Sequence, residues 1–576
     1  MANKWLNLFP GAKRTKADFC LDGDAYYESV IRAIESTAGP NHFIYILGWM
    51  LDIDFQLAAD DRDKTLYQLL KAASERGVEI RILVWNNFLP DYTILQDAAI
   101  PRLNKLANTR AFVDSNTFFP SSSKAIIQKL RPYLVDLVKR YGPLPGFNPN
   151  QTVSAFYILR QLGFILSSQS IGAHHEKVVI VNGKSGNADS LVAFCGGIDF
   201  NRNRVYSTIT SKSGEAELSR NLAEAADKPD RPVKAGKHQS EYRFPYYHDT
   251  ACRLEGPAAH QILQRFKRRW RNHPDANKET IRGENLAEPK ERPVPYPYTQ
   301  VVGTYNSVDG REKDRSLRDA YLKIIENAKR YIYIEDQYLV NLDVARALNK
   351  KIKESGFSKL TFAIQDSIET SDILIPNRKR GEFLSAVLDG ATDGQKEKVL
   401  LAVIDRTNWE RARYHPGMHA KTLIVDDEIA IIGSANVNQR SFTIDSETSV
   451  VVFDEVPESD PKSEHNFARN FRVKTWGEFA KKTVPKGMIQ SWWNYPTSIS
   501  NEEPGFSILI KYQKDLQDDL DLRINTFIRG NSVVVAAVVS NLLDQDLTRT
   551  SVVMSPYTIT YLFDTLWEHF VDPSAP

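Results

Sequence analysis

Apolar and polar positions along the first part of the chain predict helices and strands in turn. One predicted helix has apolar residues three or four positions apart and is followed by Gly77, a common C-terminal stop. The runs between the helices are short and rich in Ile, Val and aromatic residues, as expected for buried strands. The predicted elements are, in order, a helix over Asp24–Ser36, a strand over Phe43–Leu47, a helix over Thr65–Arg76 and a strand over Ile80–Trp85.

The same order returns in the second half of the chain. The predicted elements there are a helix over Ser316–Lys329, a strand over Tyr331–Glu335, a helix capped by Asp343 that ends near Gly356, and strands over Leu360–Ile364 and Val399–Ile404. Repetition of a whole series of elements indicates two similar lobes. Because strands and helices alternate, each lobe is predicted to be an α/β sandwich.

Domain boundaries follow from this repeat. A chain of 576 residues is too long for one ordinary hydrophobic core, which agrees with two lobes. A stretch rich in Pro, Glu, Lys and Asn, without periodicity, separates them and is predicted to be a linker. The predicted division is a first lobe at 1–272, a linker at 273–298, a second lobe at 299–483 and a C-terminal extension at 484–576, whose role the pattern does not indicate.

Composition narrows the function classes. The net charge is only +2, which argues against a protein whose main task is to bind a nucleic-acid backbone. Three cysteines without metal-ligand spacing predict neither a disulfide framework nor a zinc site. The N-terminus shows no apolar signal segment, and the longest apolar run, near Val533–Val539, is too short to span a bilayer. We expect a soluble protein, cytoplasmic as synthesised, with delivery by a specialised export machine left open.

The second half carries the sharpest motif, HAKTLIVDDEIAIIGSAN. His419 and Lys421 are two residues apart, so on an extended strand their side chains point to the same face and can converge on one ligand. Asp426 follows the apolar run after Lys421, and Gly433-Ser434-x-Asn436 comes after a short spacer. Six residue types at fixed spacing make a chance occurrence remote.

The first half holds a degraded copy, HHEKVVIVNG. His175 and Lys177 keep the H-x-K spacing, but Asn182 stands where the second copy has Asp426. After a short insertion comes Gly196-Gly197-Ile198-Asp199. A lone His-x-Lys pair is usually a surface pair; two copies in matching halves, each with a glycine motif downstream, indicate a functional site.

These two motifs resemble those of the phospholipase D family. Other segments are similar to family segments as well, and together they cover roughly Asp24 to Glu478: HDTACRLEGPA at His248–Ala258, Arg269-Trp270, IYIEDQY at Ile332–Tyr338, Arg440-Ser441 and Asp445-Ser446-Glu447. The resemblance implies two α/β sandwich lobes related by a pseudo-twofold axis around one shared active site. It also implies a compact, bacterial-type enzyme.

The resemblance implies a role for each motif residue. His175 would attack phosphorus and form a phospho-histidine, while His419 would protonate the leaving alcohol and then activate water. Lys177 and Lys421 would hold the phosphate, with Asp199 and Asn436 lining the same site. Asp249 would orient His175, and Glu447 would orient His419. Supporting roles are expected for Asn182, Asp426, Gly197 and Ser434.

The implied reaction is hydrolysis of a glycerophospholipid to phosphatidic acid and a headgroup alcohol, with transphosphatidylation when an alcohol replaces water. The alternatives are a nuclease or a phospholipid synthase of the same superfamily, or a phosphate- or lipid-binding protein with an impaired first motif. No metal or cofactor is required, although calcium could assist at a lipid surface. The expected partner is phospholipid at a membrane surface, no nucleic-acid partner is expected, and a monomer suffices for catalysis.

A basic amphipathic segment within Phe118–Phe164 is either a lipid-contacting cap or an ordinary surface helix.

Overall fold

The computed structural model describes residues 3–58, 61–86, 90–116, 172–201, 204, 247–307, 312–364, 374–404, 417–455, 466–480 and 506–508. Most of these residues form two lobes, each built on one mixed β-sheet. The predicted α/β sandwich class is confirmed. The basic segment of Phe118–Phe164 and nearly all of the extension 484–576 lie outside the described residues.

The strands are β1 (Lys13–Arg14), β2 (Lys16–Leu21), β3 (Phe43–Gly48), β4 (Gln56–Ala58), β5 (Asp61–Thr65), β6 (Glu79–Trp85), β7 (Thr109–Asp114), β8 (Val178–Asn182), β9 (Leu191–Gly196), β10 (Tyr247–His248), β11 (Thr250–Glu255), β12 (Tyr298–Asn306), β13 (Lys313–Asp314), β14 (Tyr331–Asp336), β15 (Lys359–Ile364), β16 (Val399–Ile404), β17 (Gly417–Met418), β18 (Thr422–Val425), β19 (Ile429–Gly433), β20 (Glu447–Phe453) and β21 (Phe506–Ile508).

The helices are α1 (Lys4–Leu8), α2 (Asp22–Glu35), α3 (Leu66–Glu75), α4 (Pro90–Leu103), α5 (Pro257–Asn272), α6 (Ser316–Glu326), α7 (Leu342–Lys353), α8 (Leu374–Leu388), α9 (Asp393–Lys396), α10 (Gln439–Thr443) and α11 (Phe467–Ala480). The nine predicted helices and strands are all present, with ends shifted by a few residues. One cap differs: Asn341, not Asp343, accepts the hydrogen bond from the Val344 amide at the start of α7.

The two sheets match strand for strand. The first lobe has the order β2-β11-β9-β8-β3-β6-β7, and the second contains β12-β20-β19-β18-β14-β15-β16. Pairing directions match too: β3–β6–β7 and β14–β15–β16 are parallel, and the remaining neighbours in these two series are antiparallel. The repeat inferred from the sequence is therefore a repeat of topology, and it places corresponding residues of the two motifs in corresponding positions.

The hydrophobic core lies in three layers. One apolar cluster packs α2 and α3 on the outer face of the first sheet, and a second packs α6, α7 and α8 on the outer face of the second sheet. A third cluster combines residues of both sheets with α5 and α11, including Phe266, Trp270 and Trp476. Since this shared cluster joins the inner faces of the two sheets, the lobes form one packed body at the level of the site.

The predicted domain boundaries need three corrections. The N-terminal residues belong to the second lobe, because β1 pairs with β12 and Trp5 lies in the second lobe's core with its indole N–H donating to Glu428. The stretch 273–298 is not a loose linker: Ile281 is buried in the shared core, and the Gly283 amide donates to the Tyr45 hydroxyl. Finally, β21 of the predicted extension pairs with β16 and lengthens the second sheet.

Within the described part of the chain, no helix combines the length and apolar character needed to cross a membrane.

Candidate active site

Each His-x-Lys segment pairs with the opposite lobe. The amide of His175 donates to the carbonyl of Ser446, and the Ser446 amide donates to Ala173. In the pseudo-symmetric place, β17 pairs in parallel with β10, and the His419 amide donates to the carbonyl of His248. Both H-x-K segments lie just before their strands, β8 and β18, rather than within them. Backbone hydrogen bonds between the lobes therefore hold the two motifs close together.

The carboxylates that orient the histidines also come from the opposite lobe. Nδ1 of His175 lies 3.0 Å from Oε1 and 3.2 Å from Oε2 of Glu447. Nδ1 of His419 lies 2.7 Å from Oδ2 of Asp249. The assignment of Asp249 to His175 and of Glu447 to His419 is therefore wrong, because each carboxylate lies beside the strand segment with which the other lobe's motif pairs.

A carboxylate at Nδ1 fixes the tautomer of each imidazole. The ring donates its Nδ1 proton to the carboxylate, which leaves Nε2 available for reaction. Burial and the cations Lys177 and Lys421 hold the pKa of His175 well below its usual range. Burial, Arg204 and the same lysines do so for the pKa of His419. Both imidazoles are thus neutral near pH 7 in the site as it stands, which is the form a nucleophile needs.

The two carboxylates have different surroundings. Glu447 accepts hydrogen bonds from the hydroxyls of Ser434 and Ser441, the latter at 2.7 Å. Asp249 accepts from the Thr250 amide at 2.8 Å and lies against Gly197, where a Cβ atom would overlap its Oδ1. Burial raises the pKa of Glu447 to about 7 and that of Asp249 to about 6. Gly197 and Ser434, the two predicted supporting residues of the glycine motifs, thus act directly on the orienting carboxylates.

Two buried lysines supply positive charge between the lobes. The ammonium group of Lys177 donates to the carbonyl of His175 at 2.7 Å, and that of Lys421 donates to the carbonyl of His419. Burial lowers the pKa of Lys421 to about 8, and it lowers the pKa of Lys177 as well. With a pKa of about 8, Lys421 remains mostly charged near neutrality, as a phosphate-binding role requires.

Asp199 and Asn436 occupy equivalent places beyond the glycine motifs. The Asp199 carboxylate accepts from the Met50 amide at 2.6 Å and the Phe200 amide at 3.1 Å, and burial raises its pKa to about 6. Its charge acts on Lys177. Asn436 is buried, and its Oδ1 has no hydrogen-bonding partner among the described residues. Asp199 therefore contacts backbone rather than open space, whereas the side chain of Asn436 retains an acceptor that a ligand could use.

Aromatic side chains that the sequence did not single out as site residues border both histidines. Trp49 meets the His175 ring edge to face, with ring centres 5.9 Å apart, and the Lys177 ammonium lies 5.5 Å from a Trp49 ring centre. Tyr247 meets the His419 ring in the same manner at 5.6 Å. From the sequence, Trp49 after a predicted strand could either border a substrate path or pack in the core, and the fold places it beside His175.

A buried charged network stabilises the first motif from behind. Arg269 of α5 donates to Glu176, between His175 and Lys177, at 2.8 Å and to Asp114 at 2.6 Å. Glu176 also accepts from the Thr448 hydroxyl of the second lobe at 2.6 Å. The second motif has Ala420 in the place of Glu176. This ionic network holds Glu176 of the first motif in place, and Arg269 is therefore a structural support.

The motif aspartate lies away from the histidines. Asp426 accepts hydrogen bonds from the amides of Lys329, Arg330 and Tyr331, at 2.7, 2.8 and 2.9 Å. Asn182 donates to the carbonyl of Asn187 at 3.0 Å. Asn182 ends β8 and Asp426 directly follows β18, so each lies five positions beyond its motif lysine, about 16 Å along an extended chain. Asn182 therefore departs from the motif at a structural position rather than at the reacting groups.

We expect Asp426→Ala to lower the free energy of unfolding by about 3 kcal/mol, because three backbone amides, of which that of Tyr331 is buried, lose a charged acceptor. Activity per folded molecule should stay near the wild-type value. Urea denaturation followed by circular dichroism, with kcat/KM measured on the folded fraction, tests both statements. Asp426→Asn is the matched control and should cost less, since one acceptor oxygen remains. A large loss of kcat/KM in a well-folded Asp426→Asn variant would contradict the structural role.

In the part of the chain that the structure describes, no cluster of three or more His, Cys, Asp or Glu side chains is arranged to hold a metal ion.

Comparison with known proteins agrees with this site. Residues 164–306 match the family model "Phospholipase D", and residues 321–472 match "Cardiolipin synthase, PLD-like domain". Each match contains one His-x-Lys pair. The chain belongs to the phospholipase D superfamily, whose members are phosphodiesterases.

Plant proteins are among its curated relatives. Phospholipase D alpha 3 of Arabidopsis thaliana is 24% identical over 590 residues, covering 83% of this chain and 66% of the relative. Phospholipase D alpha 1 of Oryza sativa subsp. japonica is 24% identical over 603 residues, covering 86% and 68%. The chain thus spans about two thirds of the length of these relatives. Among solved structures, the phosphatidylserine synthase of Haemophilus influenzae Rd KW20 aligns with a TM-score of 0.43 and 9% identity, covering 93% of this chain and 97% of that one.

Proposed function

We propose that this protein is a phospholipase D: it hydrolyses the distal phosphodiester of a glycerophospholipid to phosphatidic acid and a free headgroup alcohol. The supporting observation is that two imidazoles, each held by a buried carboxylate of the opposite lobe, both lie within the electrostatic influence of the same two buried lysines. That set contains a nucleophile, a proton carrier and two cations for the phosphate, as two-step phosphodiester cleavage requires.

In the first step, Nε2 of His175 attacks phosphorus and the bond to the headgroup oxygen breaks. His419 donates the proton that the departing alkoxide needs. In the second step, neutral His419 takes a proton from water, whose oxygen attacks the phospho-histidine and releases phosphatidic acid. Lys177 and Lys421 neutralise the phosphoryl oxygens throughout.

His419 must be protonated for the first step, although it is neutral in the site as it stands. Its pKa is lowered by burial and by neighbouring cations, among them both lysines. A bound phosphate places negative charge between these lysines, which offsets their effect and favours the imidazolium. Proton uptake on substrate binding is therefore part of the proposal.

An alcohol in place of water in the second step would give headgroup exchange. The test uses phosphatidylcholine or phosphatidylethanolamine vesicles with a small amount of ethanol, and mass spectrometry of the lipid products. We expect phosphatidic acid and phosphatidylethanol from the wild type and from His260→Ala, a matched control outside the site. Neither product should form with the double variant His175→Ala/His419→Ala.

Other outcomes separate the alternatives. Cleavage of a nucleic acid without lipid cleavage would favour a nuclease of the same superfamily. Binding of phosphate or lipid without cleavage of any phosphodiester would favour a binding protein. Products that persist in the double variant would place the chemistry elsewhere in the chain.

A further inference from the structure

We propose that Arg204 is a positioning residue that keeps Asp249 ionised, so that Asp249 accepts the Nδ1 proton of His419 and leaves Nε2 to handle the leaving-group and water protons. Nε of Arg204 lies 3.6 Å from Oδ2 of Asp249, the same oxygen that His419 contacts. This inference rests on the proposed two-histidine reaction.

The guanidinium is fixed in this place by an aromatic ring. Its central carbon lies 4.4 Å from the ring centre of Tyr247, and Tyr247 in turn meets the ring of His419. Arg204 is buried, so its charge is poorly screened by water and acts strongly on its neighbours. Arginine, which stays charged at any working pH, is suited to a permanent electrostatic role.

The pseudo-twofold symmetry shows what is special about this residue. After each glycine motif the chain makes the same turn: the Asn201 amide donates to Asp199, and the Asn438 amide donates to Asn436, both at 2.8 Å. Three residues further on come Arg204 in the first lobe and Ser441 in the second. Both contact the orienting carboxylate of their own lobe. The first lobe thus places a cation where the second lobe places a hydroxyl.

This asymmetry agrees with different tasks for the two histidines. The ring of His175 gains positive charge by bonding to phosphorus, not by taking up a proton, and hydroxyl donors hold its partner Glu447 in place. The partner of the proton carrier must remain an anion while His419 becomes an imidazolium. Burial alone would favour the neutral acid at Asp249, and the positive charges of Lys421 and Arg204 oppose that tendency.

Other charges also face the pair and contribute to its titration. Those acting on Asp249 or His419 are Lys421, His248, Lys177 and His175, in addition to Arg204. They are the same in every variant below, so a difference between variants reports Arg204.

The test compares Arg204→Gln, which keeps bulk without charge, with Arg204→Lys, which keeps the charge. Removing the cation should raise both proton affinities of the Asp249–His419 pair, so the pH profile of kcat/KM moves about one unit or more towards higher pH. At neutral pH, kcat should fall more than KM changes. Arg204→Lys should restore most of the shift, and Arg346→Ser, on the exposed surface, should leave the profile unchanged.

A readout without turnover separates this inference from the proposed function. In full-length protein with labelled histidines, the His419 signal, assigned with His419→Ala, should titrate at higher pH in Arg204→Gln than in Arg204→Lys or the wild type. Coincident titration midpoints in all three folded proteins would overturn the inference, even if lipid is cleaved. A shifted midpoint in a protein that cleaves no phosphodiester would support the role of Arg204 and reject the proposed reaction instead.

Discussion

Replacing His175 by alanine is expected to lower kcat/KM for phosphodiester cleavage by about 10⁴-fold or more, because the covalent route loses its nucleophile. His419→Ala should cause a comparable loss with an alcohol leaving group, since an alkoxide leaves poorly without a proton. Steady-state rates alone therefore do not distinguish the two histidines.

A p-nitrophenyl phosphodiester distinguishes them, because p-nitrophenolate leaves without help from an acid. We expect His419→Ala to release about one equivalent per site in a burst and then stop, since water is no longer activated to hydrolyse the phospho-histidine. Intact-protein mass spectrometry should show the covalent adduct. His175→Ala should give neither burst nor adduct. A burst in His175→Ala, with none in His419→Ala, would reverse the two roles.

Removing the charge of either orienting carboxylate should have the next largest effect. Asp249→Asn and Glu447→Gln are each expected to lower kcat/KM by about 10²- to 10⁴-fold, because a neutral amide can hold the imidazole in the wrong tautomer. Glu28→Gln and Asp393→Asn, whose side chains are exposed, should behave as the wild type.

The same burst experiment tests whether each histidine is oriented by the carboxylate of the opposite lobe. Because Asp249 contacts His419, Asp249→Asn should retain the burst with the activated substrate and lose turnover. Because Glu447 contacts His175, Glu447→Gln should lose the burst itself. If Asp249→Asn abolishes the burst while Glu447→Gln retains it, the pairing within lobes predicted from the sequence motifs would be correct after all.

Local patterns were enough to predict the elements and the motif residues. Buried positions are occupied mainly by apolar residues. The spacing of apolar residues therefore predicts α3, and the apolar run predicts β14. The two H-x-K motifs are short and local, so they were visible in both halves. The place of Asp426 after a strand likewise agrees with the supporting role that was expected of it.

Contacts between residues that are far apart in the sequence could not be predicted from local patterns. Nothing in the spacing of Asp249 or Glu447 reveals which histidine each meets, because that depends on how the two inner sheet faces pack. Local patterns likewise could not predict that Trp5 packs in the second lobe or that Arg204 lies beside Asp249. Both contacts join residues that are far apart in the sequence.

The sequence by itself thus determined two α/β lobes and one His-x-Lys pair in each. Tertiary structure decided that each lobe orients the other's histidine, and that the two orienting carboxylates lie in unequal electrostatic surroundings. The physical reason is that helix and strand formation follow local periodicity, whereas a buried hydrogen bond between lobes exists only once the shared core has brought the two sheets together.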